Sequence, residues 1–496
     1  MPADTPSPPR SALVTGATGY VGGRLVPALL DAGWQVTCLV RTPAKVESRS
    51  WAGDPRVTIV QGELGTPGPW QQQLGGTQVA WYLVHSMGGG TDFHERDMAA
   101  AEMFGEACRD AGVQQIVYLS GLGGDDDDLS EHLKSRHATG ERLRASGLPV
   151  TELRAGAVIG SGSASFEIMH DLARRLPVMI APRWVTSKCE PIAIRDVLRY
   201  LIEAPQVPEA VGRTLEIGCG EQYSYADMVH MCAAAIGRNS RIVTVPVLTP
   251  RLSSYWLHLV TSVDFSVARA LIEGLRNDTV VTDRSIRELV PFEPIGLTRA
   301  IELALEVSRG PEPIPSRWND TWRRKLPGVT APSNSGGAVR EPRPPFRDYR
   351  SLDTDLPPDR LFAQVLEIGG RNGYGVSVDA LWKLRGALDR AVGGTGLRSG
   401  RPATRALAVG DPLDFWRVQI LDRQARRLVL EAEMRVPGTA LLDLRVEELP
   451  GGGSRLHQLA TLTRDHPLGA AYWHSISPLH GIVFERLLRH IAGLSA

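Results

Sequence analysis

The sequence predicts an α/β chain, in which a parallel sheet covered by helices on both faces is followed by a separate α+β domain. Three observations carry this. From Ser11 to about Gly160, short β-branched runs alternate with longer amphipathic stretches. A proline-rich stretch then interrupts the pattern, and beyond Asp359 the order of elements changes. At 496 residues the chain also exceeds one ordinary hydrophobic core, which argues for two or three domains.

The strand candidates of the first region are Ala12–Thr15, Gln35–Val40, Val57–Val60, Val79–Val84, Gln115–Leu119 and Val150–Leu153. Helical patterns at Gly22–Ala32, Glu95–Ala111 and Ser135–Ser146 lie between several of them, the signature of a doubly wound parallel sheet. Gly33, Gly112 and Gly147 follow these helical runs, where a C-terminal cap favours positive φ. From Gly160 to about Arg309 the pattern is less regular, with helical runs at Val197–Ile202 after Asp196 and at Tyr225–Ile236 after Ser224. A small, mostly helical lobe packed on the sheet is expected there, which gives a first domain over 11–310 behind a Pro-rich, polar and disordered 1–10.

Residues 311–358 include Pro311, Pro313, Pro315, Pro342, Pro344 and Pro345 and read as an inter-domain linker. Trp318, Trp322 and Phe346 imply that parts of it dock on a domain. The last domain, 359–496, starts with a helix-like segment. Strands follow at Asp414–Leu421, Leu428–Met434, Leu441–Glu447 and Arg455–Thr463, with turns at Pro437-Gly438 and Pro450–Gly453. A helix over Pro478–Leu494 closes the chain, and a curved sheet wrapped on that helix is expected.

Composition excludes several functions. Hydrophobic content of 43% and charged content of 22% are those of a soluble globular protein, and zero formal net charge removes the electrostatic case for nucleic acid. Asp125–Asp128 reads as a solvated loop. Five cysteines far apart, with no C-x-x-C pair, fit idle thiols in a reducing, cytoplasmic compartment. Met1–Arg10 lacks the apolar core of a signal peptide, and no apolar stretch is long enough to span a bilayer. Leu252–Val263 is the longest apolar run and allows at most an interfacial helix with peripheral membrane contact. The twelve histidines form no ligand-spaced cluster with cysteine or carboxylate, so no metal site is expected.

The chemistry concentrates at Gly16-Ala17-Thr18-Gly19-Tyr20-Val21-Gly22, directly between the first strand and the first helix. Glycines there permit a tight turn and let the backbone approach a pyrophosphate, whose charge the helix N-terminus favours. This is a Rossmann dinucleotide turn, with Gly16, Thr18, Gly19, Tyr20, Val21 and Gly22 as cofactor contacts. An acid on the ribose 2′-hydroxyl is usual about 20 residues further on for NAD. This chain has Val40-Arg41-Thr42 instead. Arg41, with Lys45 assisting, can pair with a 2′-phosphate, which favours NADP(H) over NAD(H); otherwise Arg41 is a solvated strand-end residue. Glu63 is placed either to accept from an adenine amino group or simply as a surface charge.

The first region resembles the atypical, extended short-chain dehydrogenases/reductases. Thr15–Gly22, Tyr82–Met87, Val117–Leu122, Leu153–Gly156 and Pro191–Val197 carry the likeness, and within that superfamily the chain is similar to bacterial relatives of a respiratory complex I accessory subunit. The last region resembles a domain of unknown function, on Trp382–Gly386, Gly410–Val418 and Tyr472-Trp473, with a layout similar to helix-grip, polyketide-cyclase-like proteins. The resemblance implies that Leu83, Val84 and His85, at the end of the fourth strand, border the cofactor. It also implies a catalytic Ser, Tyr and Lys. Ser120 matches the Ser, but the Tyr-x-x-x-Lys pair is replaced by His132 and Arg136. His132 is either a surface histidine at a helix start or a general acid near neutral pH; Arg136 can hold ribose hydroxyls but shuttles no proton. Tyr82 and His85 are alternative donors or wall residues, and Trp382, Phe415, Trp416, Tyr472 and Trp473 are core or ligand wall.

Three functions follow. The first is NADPH-dependent reduction of a carbonyl or other apolar small-molecule acceptor. The second is a non-catalytic NADP(H)-binding sensor or assembly module. The third is a lipid or quinone carrier with a Rossmann scaffold.

Overall fold

The structure, a computed structural model, describes residues 10–47, 49–84, 93–123, 130–175, 178–245, 277–309, 346–369, 407, 412–432, 439–450, 452–463 and 469–494. His85, Asp125–Asp128, Leu252–Val263, Trp318, Trp322, Trp382 and Pro437-Gly438 lie outside the described residues. The chain divides into two compact units.

The first unit holds strands β1 (Ser11–Thr15), β2 (Gln35–Val40), β3 (Val57–Gln61), β4 (Val79–Tyr82), β5 (Gln115–Gly121) and β6 (Val150–Ala155). These are followed by β7 (Val158–Ile159), β8 (Val178–Pro182), β9 (Lys188–Cys189), β10 (Ile192–Ala193), β11 (Thr214–Ile217), β12 (Tyr223–Ser224) and β13 (Arg241–Val245). The main sheet is seven-stranded and parallel, in the order β11-β6-β5-β4-β1-β2-β3. The chain starts in the middle, winds out through β2 and β3, then crosses back to β4. A topological switch point therefore lies between β1 and β4, where open parallel sheets place ligands at the carboxyl ends of the strands.

The helices are α1 (Gly22–Asp31), α2 (Ala44–Glu47), α3 (Phe93–Asp110), α4 (Glu131–Arg144), α5 (Ala164–Arg175), α6 (Ile194–Glu203), α7 (Tyr225–Ala235), α8 (Ile286–Leu289) and α9 (Leu297–Arg309). Strands buried on both faces read as nearly continuous apolar runs. Val14, Trp81, Val117 and Leu153 face one core with Leu25, Val26 and Leu29 of α1 and Val197, Tyr200 and Leu201 of α6. Leu13, Ala80, Tyr82 and Tyr118 face the other, with Phe104 of α3 and Leu143 of α4. Trp81 pins the first core: its ring meets Trp34 edge-on at 5.3 Å, and Nε1 donates to the Leu201 carbonyl at 2.9 Å. Such an aromatic pair adds roughly 0.5–1.5 kcal/mol beyond the area it buries. Gly33, Gly112 and Gly147 all have positive φ, as helix ends require.

The smaller lobe combines α5 and α7 with two-stranded pairs, β8 with β13 and β9 with β12. Ser224 and Asp227 form a reciprocal capping box at the start of α7, which fixes that helix where the sequence predicts it. Glu190, fully buried, accepts from the Gly220 amide at 2.7 Å and from both terminal nitrogens of Arg284 at 3.1 and 2.9 Å.

The second unit is a six-stranded antiparallel sheet in the order β14-β19-β18-β17-β16-β15. Its strands are β14 (Phe346–Thr354), β15 (Pro412–Leu413), β16 (Trp416–Asp422), β17 (Arg427–Ala432), β18 (Ala440–Glu448) and β19 (Ser454–Leu462). Helices Pro358–Val365 and Gly469–Ile491 pack on one face of the sheet around Leu361, Phe362, Leu430, Leu444, Leu456, Phe484 and Leu487. Here the structure corrects the sequence reading of 311–358. Phe346–Thr354 is an edge strand, not linker, and composition hides it because half its side chains are charged or polar and face outward. The closing helix also begins at Gly469 and runs through Pro478. Phe415, Trp416 and Trp473 are buried.

Two predictions follow from this packing. Glu190→Ala leaves Arg284 and the Gly220 amide without their shared acceptor, so denaturant unfolding monitored by tryptophan fluorescence is expected to lose about 3 kcal/mol. All five cysteines are free and buried. Burial pushes the thiols of Cys38 and Cys232 up to about 12 and that of Cys219 up to about 11, which keeps them neutral at pH 8. A chromogenic disulfide reagent is therefore expected to find no fast-reacting thiol in the native chain at pH 8, and all five in guanidinium.

Candidate nucleotide site

The turn between β1 and α1 is built by close backbone packing. Thr15, at the end of β1, donates its hydroxyl to the Trp81 carbonyl at 3.0 Å and accepts from the Leu83 amide at 3.0 Å. This ties the carboxyl ends of β1 and β4 together. Gly16 then turns with φ +70°, and a Cβ there would stand 2.7 Å from the Leu83 carbonyl oxygen. Gly19 donates to the Gly16 carbonyl at 2.8 Å, and a Cβ on Gly22 would run into that same carbonyl. Val21, at the N-cap of α1, makes no side-chain cap bond. The first-turn amides of Gly23 and Arg24 donate to the carbonyls of Gly19 and Val21, both at 3.0 Å, so the turn is wound directly into the helix. A tight, glycine-built backbone turn at a helix N-terminus fits a pyrophosphate.

Tyr20 commits its ring to the fold. Its side chain is buried under Gly160, whose Cβ would collide with the hydroxyl, and burial pushes its pKa well above the ordinary phenol value. The sequence names Tyr20 as a cofactor contact and does not say which way its ring turns; with the ring buried, a ligand can meet only its backbone. Arg24, which sequence reasoning missed, lies over the Tyr20 ring at 4.2 Å and donates to the carbonyls of Tyr20 at 3.0 Å and Ser161 at 2.8 Å. It anchors the turn to the segment after β7. No motif marks such a residue.

Arg41 follows β2 and Glu63 follows β3, both largely exposed, with Arg41 Nη1 3.6 Å from Glu63 Oε1. An exposed pair of this length contributes little to stability, so Arg41 can turn to another anion at small cost. Leu83 and Val84 are half-buried at the end of β4 beside Gly16, whereas His85 lies outside the described residues.

At the carboxyl end of β5, Ser120 is buried next to the Tyr118 hydroxyl, which donates to the Arg136 carbonyl at 3.0 Å. Arg136 Nη2 donates to the Leu119 carbonyl at 2.9 Å, and His137 Nε2 is 3.4 Å from the Gly121 carbonyl. The structure thus brings Ser120 and Arg136 to one strand end, and adds His137, which sequence reasoning missed. His132 sits half-buried one turn before Arg136 on the same helix. Gly121 admits this packing, since a Cβ there would meet Leu133 Cδ2 at 2.7 Å. Tyr82 is core, between Phe104 and Tyr118 at 5.2 and 5.9 Å, and burial raises its pKa. Among the described residues, no group of three or more His, Cys, Asp or Glu side chains is placed to hold a metal ion, and no helix is long and apolar enough to cross a membrane.

Comparison with known proteins agrees with this geometry. Residues 16–175 match a family model described as NAD(P)H-binding, and the first unit has a Rossmann-like fold, a parallel sheet covered by helices. It is joined to a second domain, at residues 341–487, that matches a family described as a protein of unknown function, DUF2867. A ceramide reductase of Caulobacter vibrioides is 27% identical over 235 residues, 47% of this chain and 73% of that protein. A photosystem II assembly factor of Cyanophora paradoxa is 23% identical over 245 residues, 48% of this chain and 72% of that protein. An NADPH-dependent quinone oxidoreductase of Escherichia coli, solved with NADPH, has 17% identity and a TM-score of 0.48, covering 58% of this chain and 98% of that one.

Gly22→Ala is expected to weaken dinucleotide binding at least tenfold in calorimetric titration, because its methyl group lands on the Gly16 carbonyl and must distort the cradle.

Proposed function

We propose that this chain is an NADP(H)-dependent oxidoreductase that reduces a carbonyl or a similar acceptor on a largely apolar small molecule. The observation that carries the reading is the backbone cradle of Gly16, Gly19 and Gly22 at the β1–β4 switch point. Arg41 stands exposed at the end of β2, where the ribose 2′-position of a nucleotide in that cradle would lie. NADPH, when bound, supplies the hydride. Gly16, Thr18, Gly19, Gly22 and the backbone of Tyr20 and Val21 would hold its pyrophosphate, Arg41 its 2′-phosphate, Glu63 its adenine, and Leu83, Val84 and His85 its nicotinamide end. Ser120 would orient the acceptor oxygen and His132 deliver the proton, with Arg136 on the ribose hydroxyls. A reductase among the relatives supports this reading.

One observation favours a second reading, a nucleotide-binding sensor or assembly module without turnover. The helix that would carry Tyr and Lys has His132 and Arg136 instead, and Arg136 already binds the Leu119 carbonyl. An assembly factor among the relatives supports it. The free, buried thiols support placing the protein in a reducing compartment such as the cytoplasm. The second unit, a sheet with one long helix on its inner face, supports a helix-grip-like part that presents the acceptor or carries a lipid or quinone.

Titration with NADPH and NADH tests the cofactor. The wild-type chain is expected to prefer NADPH by tenfold or more, and Arg41→Ala to remove that preference while leaving NADH affinity unchanged. An unaltered preference refutes the phosphate assignment. His132→Ala is expected to lower turnover of a reducible carbonyl about 100-fold without changing NADPH affinity. Wild-type binding with no turnover across a panel of aldehydes, ketones and quinones selects the second reading.

A further inference from the structure

The first unit holds a cavity of about 200 Å³ between α6, α9 and the segment after β7. Its walls are aliphatic, with Ile159 at the end of β7, Ile194 and Leu198 on α6, and Ala300 and Leu303 on α9. Along α9 the stripe Ala300, Leu303, Ala304 and Val307 recurs at helical spacing. Its two alanines, one turn apart, leave the room that larger side chains would close. Ala300 and Ala304 are buried, whereas Val307 is 42% exposed and carries the apolar stripe out to solvent. The cavity therefore has a mouth through which an apolar chain can enter.

The charges that line it are of one sign. Arg24 and Arg195 border the cavity and, among the described residues, no acid does. Arg24 donates to the carbonyls of Tyr20 and Ser161, which occupy its hydrogens without cancelling its charge. Arg195 lies exposed in the first turn of α6 and forms no ion pair among the described residues. A cation there sits against the positive end of the helix dipole, where an anion is the stabilising partner. Asp196, the acid of that turn, is committed elsewhere: its Oδ2 accepts from the Ile295 amide at 2.8 Å. An apolar chain with one carboxylate end matches both halves of this surface, because a guanidinium pairs with a carboxylate through two parallel bonds. Volume sets the length. An apolar cavity of about 150 Å³ accepts benzene, so one of about 200 Å³ accepts roughly eight carbons.

We propose that this cavity is a binding site for a medium-chain alkyl carboxylate. The chain lies against α6 and the Ala300–Val307 stripe of α9, and the carboxylate pairs with Arg195 in the field of Arg24. The site lies wholly within the first unit and asks nothing of the nucleotide reading, so it is tested without a dinucleotide.

Calorimetric titration of the full chain near neutral pH with octanoate, octanol and butyrate is the test. Octanoate is expected to saturate a single site per chain, and octanol, of equal length but uncharged, to bind at least tenfold more weakly. Butyrate keeps the charge but lacks four methylenes, and is expected to bind at least fiftyfold more weakly than octanoate. Arg195→Gln, an exposed substitution, is expected to weaken octanoate about tenfold and leave octanol unchanged. Ala304→Leu, which fills the cavity, is expected to weaken both eight-carbon probes; if that variant folds poorly, Arg195→Gln and the three wild-type affinities decide alone. No saturable octanoate binding, octanol or butyrate binding as tightly as octanoate, or undiminished octanoate affinity in Arg195→Gln overturns the site.

Discussion

The first unit depends on the contact between the backbone of Gly16 and the backbone of Leu83. Two parallel strands end side by side there, and the chain leaves one of them through a turn so tight that no side chain fits. The Thr15 hydroxyl holds the two ends in register by bonding both ways across the gap. Once that register is set, α1 must start where it does, with its N-terminus over the crevice. The glycine turn is therefore a consequence of strand packing rather than an addition to it. The same contact explains why the neighbouring side chains point elsewhere: Tyr20 goes down under Gly160 and Arg24 clamps it.

Much of this was legible in the sequence, for a physical reason. Parallel strands buried on both faces produce unbroken β-branched runs, and all six of the early strands were placed from those runs to within about two residues. β11 escaped because Thr214–Ile217 alternates Thr and Glu with Leu and Ile at the sheet edge, too short to stand out from the loops around it. The glycine turn was legible because positive φ and close approach both demand one residue type. The direction of the Tyr20 ring was not, since it depends on a glycine far along the chain.

The second unit was legible in its strands and hidden at its ends. Turn signals separate β17, β18 and β19, so hairpin spacing alone orders them. β14 has no such partner nearby and sits behind a run of prolines, so local composition assigned it to the linker. The pairing that sets Arg350 opposite Gln458 was equally out of reach, because it depends on that unforeseen strand. At the end of β5 the residue types were legible, but not the bonds by which α4 fastens Arg136 and His137 to strand carbonyls.

The place of β14 has a consequence for how the chain is made. Among the described residues its one neighbour in the sheet is β19, and the Ser454 hydroxyl reaches back 98 residues to the Leu356 carbonyl. On a ribosome, this border strand emerges well before β19 and must wait, unzipped, until that partner has left the exit tunnel. Alternation of Arg347, Tyr349, Ser351 and Asp353 along its outward side makes that wait tolerable, because a charged ribbon is a poor template for another molecule's strand.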